Sequence, residues 1–281
     1  METCKTVAKL REHIAGLRRQ GFSVGLVPTM GFLHAGHMAL VAQAAREADR
    51  VIVSIFVNPT QFGDPSDLEN YPRDTERDLA MLRDAGVEAV FLPSVEDIYP
   101  QGAETIVETM RLANVLHGEV REGHFRGVAT VVAKLFNIVQ PDLACFGEKD
   151  YQQLQVIRQM VKDLHFPLRI IGCPTVREAD GLALSSRNVR LSPEDRLAAL
   201  VLNQALDRAE EMCGNGATVE ELLAEVTAVI QAEPRSHLRA VDVTEAITLR
   251  PVSGKPAGPL ALMISAEFGD VLLIDQREIS P

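Results

Sequence analysis

The chain has 281 residues, 46% of them in the apolar set and 24% charged, a balance that excludes disorder over most of its length and leaves ample chain for a large core. Lys and Arg number 28 and Asp and Glu 39, a formal charge of −11, which excludes a generally basic nucleic-acid-binding face but not a small basic pocket for an anionic substrate. There is no membrane-spanning apolar run and no basic-then-apolar leader, and Cys4, Cys145, Cys173 and Cys213 are too far apart in sequence for a metal knuckle or a redox pair, so reduced thiols in a cytoplasmic setting are expected.

Ser23–Val27 reads as a short apolar strand ending at Pro28. A turn-rich stretch to Gly36 leads into a helix over 36–49, with Met38, Leu40, Val41, Ala44 and Ala45 near helical spacing. Val51–Val57 is a β-branched, apolar run and predicts a buried strand, completing a βαβ unit. The alternation continues with helix 74–85, strand 88–92, helix 127–139, strand 143–146, helix 150–164 and strand 168–172. This pattern predicts an α/β fold, a Rossmann-like doubly wound parallel sheet with helices on both faces. After about Arg187 the character changes. Two long amphipathic helices, 193–212 and 219–232, precede strands over 238–243, 260–267 and 271–274, the last two joined by the hairpin signal Phe268-Gly269-Asp270. A smaller C-terminal α+β domain is expected, with domains of 1–187 and 188–281.

Four loop segments carry the chemistry. Pro28-Thr29-Met30-Gly31-Phe32-Leu33-His34-Ala35-Gly36-His37 lies between the first strand and the first helix. Ligands of open α/β sheets bind at the carboxyl ends of strands, and a helix N-terminus there offers backbone N–H groups and partial positive charge to a phosphate. Gly31 and Gly36 allow close approach, and His34 and His37, three apart, project to one side. The same pair suits zinc in part, but no third ligand follows at a suitable spacing. Asn58-Pro59-Thr60-Gln61-Phe62-Gly63 follows the second strand, and its amides read hydroxyls and carboxylates without adding charge. Gly147-Glu148-Lys149-Asp150 opens a later helix and leads to Gln153. Leu184-Ser185-Ser186-Arg187, preceded by Val176-Arg177-Glu178-Ala179-Asp180-Gly181, puts two hydroxyls and a guanidinium together as an anion clamp. Arg121-Glu122-Gly123-His124-Phe125-Arg126-Gly127 is a weaker candidate for a carboxylate.

Taken together, these segments resemble the pantothenate synthetase family, adenylate-forming nucleotidyltransferases related to class I aminoacyl-tRNA synthetases. The resemblance runs from about Gly25 to Asn188 with the motifs in order, and the tail fits the family's smaller C-terminal domain. His34 to His37 matches its His-x-Gly-His motif, and Leu184-Ser185-Ser186-Arg187 matches the counterpart of the synthetases' second motif. The resemblance implies ATP contacts from Met30, Gly31, Phe32, Leu33, His34, Ala35, Gly36 and His37, from Gly147, Glu148, Lys149 and Asp150, and from Val176, Leu184, Ser185, Ser186 and Arg187. It implies that Gln61 and Gln153 hold pantoate, that Gln61 also borders β-alanine, and that His37 is the proton donor. His117 and Glu122 stand where the familiar pattern has Glu and Pro, and Leu184 stands where Met is frequent.

The implied reaction is attack of pantoate's carboxylate on the α-phosphorus of ATP, then displacement of AMP by the amine of β-alanine. It needs no protein nucleophile. It needs anions placed together and charge stabilised on the departing pyrophosphate, a task suited to His34, His37, Lys149, Ser185, Ser186 and Arg187. Mg²⁺ is expected with ATP, bridging phosphates and keeping several waters, with no dedicated protein site and with Asp78 as a candidate outer contact. The resemblance also implies a homodimer, and neither nucleic acid nor membrane is an expected partner. Two other readings remain: a different nucleotidyltransferase, which would not need the paired glutamines, and a nucleotide-sensing module that binds ATP without forming AMP.

Overall fold

A computed structural model describes residues 1–63 and 65–281. By packing, the chain forms two compact units: Met1–Gly147 with Gln153–Cys173, and Glu148–Gln152 with Pro174–Pro281. The sequence-based boundary at 187/188 assigns residues 148–152 and 174–187 to the first domain, whereas they pack with the second unit.

The first unit is built on β1 (Glu2–Cys4), β2 (Val24–Thr29), β3 (Arg50–Ile55), β4 (Ala89–Phe91), β5 (Leu143–Gly147) and β6 (Arg169–Cys173). They pair in the order β1-β4-β3-β2-β5-β6, all parallel. Its helices are α1 (Val7–Arg19), α2 (Ala35–Glu47), α3 (Pro65–Glu69), α4 (Thr75–Asp84), α5 (Val95–Ile98), α6 (His117–Val120), α7 (His124–Val139) and α8 (Tyr151–Asp163), the last beginning with two residues of the second unit. The chain runs outward from β2 to β3 and β4, then returns to β5 on β2's other side. This reversal is the topological switch point at which such sheets bind ligands. All five strands expected of this sheet are present.

β1 and α1 precede the expected elements. Thr6 caps α1, and Leu10, Ile14 and Leu17 bury one face at i, i+4 and i+7. β2 runs through Pro28 to Thr29 rather than stopping at Val27. Its pairing with β5 ends at Leu26–Ala144, although β3 stays in register as far as Thr29–Ile55. Beyond Leu26 there is no β5 partner for the N–H that Pro28 lacks. The same early end of pairing separates the carboxyl ends of β2 and β5.

Cys145 on β5 and Cys173 on β6 are both buried, and their thiols hydrogen-bond. The sequence spacing hid this pair, which adjacent strands bring together. The bond from Cys173 and burial push the Cys145 thiol up, so it stays protonated and poorly nucleophilic.

The second unit holds α9 (Pro193–Ala198), α10 (Val201–Gly214) and α11 (Val219–Gln231), then the antiparallel strands β7 (Ser236–Glu245), β8 (Leu260–Phe268) and β9 (Val271–Ile279) in the order β7-β8-β9. The single helix expected over 193–212 is divided where Leu200 and Leu202 bond three residues back, to Leu197 and Ala199. β9 extends past the expected end at Ile274 because Asp275 is buried with a partner: Arg177 donates to both its oxygens, at 2.6 and 2.9 Å. Leu202, Leu206, Leu222, Val226, Leu262, Ile264 and Phe268 form this unit's core.

Candidate functional site

The loop between β2 and α2 carries Met30 to His37, and it is folded by its own polar groups. Gly31 (φ 85°) and Phe32 (φ 51°) are both left-handed, a costly conformation for Phe32. Asp78, buried at 1% exposure on α4, holds it there: its carboxylate accepts from the N–H groups of Phe32 and Leu33, each at 2.7 Å. A Cβ at residue 31 would stand 3.1 Å from Asp78 Oδ2, so this approach favours glycine. The Arg77 guanidinium lies 5.5 Å from the Phe32 ring centroid, a second grip from the same helix. Thr29 Oγ1 accepts from Gly31 N–H.

His34 and His37 complete the fold of the loop. His34 is the N-cap of α2; its Nδ1 accepts from Gly36 N–H at 3.1 Å, while His37 Nδ1 accepts from His34 N–H at 3.3 Å. The ring centroids are 4.1 Å apart. A backbone N–H can only donate, so both neutral rings carry their proton on Nε2 and are donors there. The sequence pattern predicts backbone N–H groups offered to phosphate. In the structure those of Gly31, Phe32, Leu33, His34 and Gly36 are engaged within the protein. Asp78, expected as an outer contact for a metal, clamps this loop through both carboxylate oxygens.

The turn after β3 is held from three sides. Asn58 is 1% exposed; its Oδ1 accepts from Thr60 N–H at 3.4 Å, Thr60 O–H at 2.9 Å and Tyr99 O–H at 2.8 Å. Its Nδ2 donates to Gly127 C=O at 3.2 Å and Gln61 Oε1 at 2.9 Å. Gln61 Nε2 lies 3.4 Å from Met30 Sδ, which brings the second motif to the first. α7 crosses so closely that a Cβ on Gly127 would sit 2.5 Å from Thr60 O and 2.9 Å from Gln61 N. His124 Nδ1 donates to Gln61 C=O at 2.8 Å, and Arg121 Nη1 lies 3.4 Å from His124 Nε2. The Arg121–Gly127 segment, a candidate carboxylate binder in the sequence, thus supports Gln61 through His124. Tyr99 was missed: nothing local marks a tyrosine 41 residues from its partner Asn58.

Gly147 ends β5 half-buried, and among the described residues nothing outside its own neighbours lies within 4 Å of where its Cβ would be. Gln153 is half-buried in the first turn of α8. These two, with the Met30–His37 loop and Gln61, are the candidate residues of the first unit.

The second unit carries the others. Glu148, Lys149 and Asp150 form a 3-10 turn, followed by Tyr151, whose O–H donates to Glu278 Oε2 at 2.8 Å. Val176–Leu184 is a small hairpin: Leu184 N–H donates to Val176 C=O at 2.9 Å, and Glu178 N–H to Leu182 C=O at 2.8 Å. Val176 and Leu184 therefore face each other across it. The Arg177–Asp275 pair anchors one arm, with side-chain exposures of 19% and 2%, and Arg196 binds Glu178 and Asp180 at the tip. The Arg196 bond holds the Asp180 carboxyl below its usual range. Beyond the hairpin, Ser185 Oγ accepts from Arg187 N–H at 3.2 Å and caps the 3-10 turn Ser186–Arg190. That bond leaves the hydroxyl proton of Ser185 as a donor. Among the described residues no group of three or more His, Cys, Asp or Glu is arranged to hold a metal ion.

A parallel sheet of this order, with a histidine-capped loop at its switch point, defines a Rossmann-like α/β protein of the nucleotide-binding kind. The chain belongs to the pantoate–beta-alanine ligase family, whose model matches residues 2–278. The pantothenate synthetase of Rhizobium meliloti (strain 1021) is 52% identical over 282 residues, covering 100% of this chain and 97% of that protein. That of Bartonella bacilliformis is 50% identical over 277 residues, covering 98% and 99%. Among solved structures, the pantothenate synthetase of Thermus thermophilus is similar at a TM-score of 0.94, with 50% identity and 100% of both chains covered. The pantoate–beta-alanine ligase of Francisella tularensis, crystallised with beta-gamma ATP and beta-alanine, is similar at a TM-score of 0.81, with 35% identity and coverage of 99% and 97%.

Proposed function

We propose that this protein condenses (R)-pantoate with β-alanine at the expense of ATP, giving pantothenate, AMP and pyrophosphate through an enzyme-bound pantoyl adenylate. Family membership over residues 2–278 supports the reaction. The observation that carries the chemistry is the reciprocal cap between His34 and His37, which makes both neutral rings Nε2–H donors on a prefolded loop. In the first step a pantoate carboxylate oxygen bonds to the α-phosphorus, and pyrophosphate leaves with the electrons of the broken P–O bond. In the second, the amine of β-alanine attacks the adenylate's carbonyl carbon and AMP departs.

His34 and His37 donate to phosphoryl oxygens as charge develops, with His37 as the proton donor; Lys149, Ser185, Ser186 and Arg187 add charge-assisted contacts. Met30 to His37, Gly147 to Asp150, Val176 and Leu184 to Arg187 bind ATP. The open space at Gly147, unexplained by the protein's own packing, suits close approach of a nucleotide. Gln61 and Gln153 hold pantoate, and Gln61 borders β-alanine. Mg²⁺ would enter with ATP as part of the substrate and would offset the charge of the phosphates. The working form is a cytoplasmic homodimer, for which light scattering on the purified protein is the direct measurement. Among the described residues no helix is long and apolar enough to cross a membrane.

The test is a split reaction. Incubation with ATP, Mg²⁺ and pantoate is expected to release pyrophosphate and leave pantoyl adenylate on the protein; later addition of β-alanine should give pantothenate and AMP. ATP binding without pyrophosphate or AMP, with all substrates present, would overturn the reading in favour of a nucleotide sensor.

A further inference from the structure

The turn that carries Gln61 contains two side-chain amides whose orientations the backbone decides. Thr60 N–H can only donate and lies 3.4 Å from one terminal atom of Asn58, so that atom is the oxygen. Gly127 C=O can only accept and lies 3.2 Å from the other, so that atom is the nitrogen. The nitrogen's second hydrogen is directed at Gln61, 2.9 Å away, and the Gln61 atom that receives it must be Oε1. Gln61 is then fixed with Nε2 as its donor end, beside Met30, where a sulfur is only a weak competing acceptor.

Tyr99 closes this chain from α5's C-terminal end, donating to Asn58 Oδ1 at 2.8 Å, with the Thr60 hydroxyl 3.1 Å away. Burial pushes the Tyr99 phenol up, so it remains a neutral donor. Its ring lies against Phe56 and under Lys134 Nζ, at 6.4 and 5.1 Å between centres. Asn58 Oδ1 thus collects three donors, and accepting from them polarises the amide toward a stronger Nδ2 donor.

We infer that Tyr99 is a positioning residue for the acid substrate: through Asn58 its hydroxyl holds the Gln61 amide with Nε2 turned to donate to the carboxylate or hydroxyl oxygen of the bound acid. This rests on Gln61 being the pantoate residue. The orientation discriminates by sign, because a donor at Nε2 favours an oxygen acceptor and the reversed amide would place oxygen against oxygen.

A double-mutant cycle tests the relay. Tyr99→Phe keeps the ring and removes the hydroxyl; Gln61→Ala removes the amide. Tyr99→Phe is expected to raise the KM for pantoate about tenfold, the scale of one lost hydrogen bond, with the KM for ATP within about twofold of the parent and a nearly unchanged melting temperature. Combined with Gln61→Ala it should add nothing further, because Tyr99 acts through Gln61. Thr60→Val, which removes the second hydroxyl on the same oxygen, should show a smaller rise of the same kind and serves if Tyr99→Phe does not fold. Additive effects in the double variant, or a rise for ATP and pantoate alike with a lowered melting temperature, would overturn the relay. So would a normal pantoate KM in Tyr99→Phe beside a raised one in Gln61→Ala, an outcome that leaves the Gln61 assignment standing. A normal pantoate KM in Gln61→Ala would remove that assignment and the relay with it.

Discussion

In the proposed mechanism His34 has two jobs for one ring, and its substitutions separate them. As N-cap it accepts from Gly36 N–H through Nδ1; as a Nε2 donor it serves the phosphates in the proposed mechanism. Asparagine is a strong N-cap with no imidazole. His34→Asn should therefore melt close to the parent while losing most of its pyrophosphate release. His34→Ala should lose the cap as well, at a cost of about 1 kcal/mol. Urea unfolding beside a single-turnover adenylation assay reads both quantities, and equal stability of the two variants would show that the ring caps nothing. The histidine spacing and the adjacent strand-to-helix turn were legible in the sequence. The use of the loop's N–H groups was not, because it depends on Asp78, which follows Phe32 by 46 residues.

Among elements, the meeting of α7 with the turn after β3 is the tightest constraint near Gln61. Gly127 is where they touch, and its missing side chain leaves backbone against backbone. Gly127→Ala places a methyl 2.5 Å from Thr60 O, so the helix must move. The expected cost is about 1–3 kcal/mol, with a raised pantoate KM because Asn58 Nδ2 also bonds Gly127 C=O. Denaturant midpoints and steady-state kinetics on one preparation check this; an unshifted midpoint would mean that the helix yields freely. The α/β alternation was readable because buried parallel strands are continuous apolar runs, as in Val51–Ile55. α1 was not, since only Leu10, Ile14 and Leu17 are buried among many charged residues. The end of β9 was misread for a related reason: Asp275 looks like a loop residue until Arg177, 98 positions earlier, is seen to neutralise it.

Across the whole molecule, acid should act unevenly. In the second unit Asp180, Asp195, Glu220, Glu221 and Glu267 are held below their usual range, chiefly by Arg196, Ser192, Gly254 N–H, Thr218 N–H and Arg239 respectively. In the first unit Asp49, bonded by Ser23, is so held. A carboxylate depressed in the folded state stabilises it above the unfolded pKa, and that stability is lost as pH falls through the folded value. The window therefore opens near pH 4.5 and extends downward. Hydrogen exchange followed from about pH 5 to pH 3 should show the second unit losing protection before the first, by a margin that added salt reduces. Simultaneous loss, or loss in the reverse order, would mean that these surface carboxylates do not govern acid sensitivity.

The brief passage of Glu148–Gln152 into the second unit bears on how such a protein is inherited. The units are not consecutive in sequence, so no single genetic crossover exchanges one whole unit for a homologue's. A junction after Cys173 would take Tyr151 from one parent and its partner Glu278 from the other, along with the Lys149 turn beside it. Chimeras joined there must match at both places or lose that bond, which ties residues 148–152 to the C-terminal strand as a co-inherited block despite a separation of 127 positions between Tyr151 and Glu278.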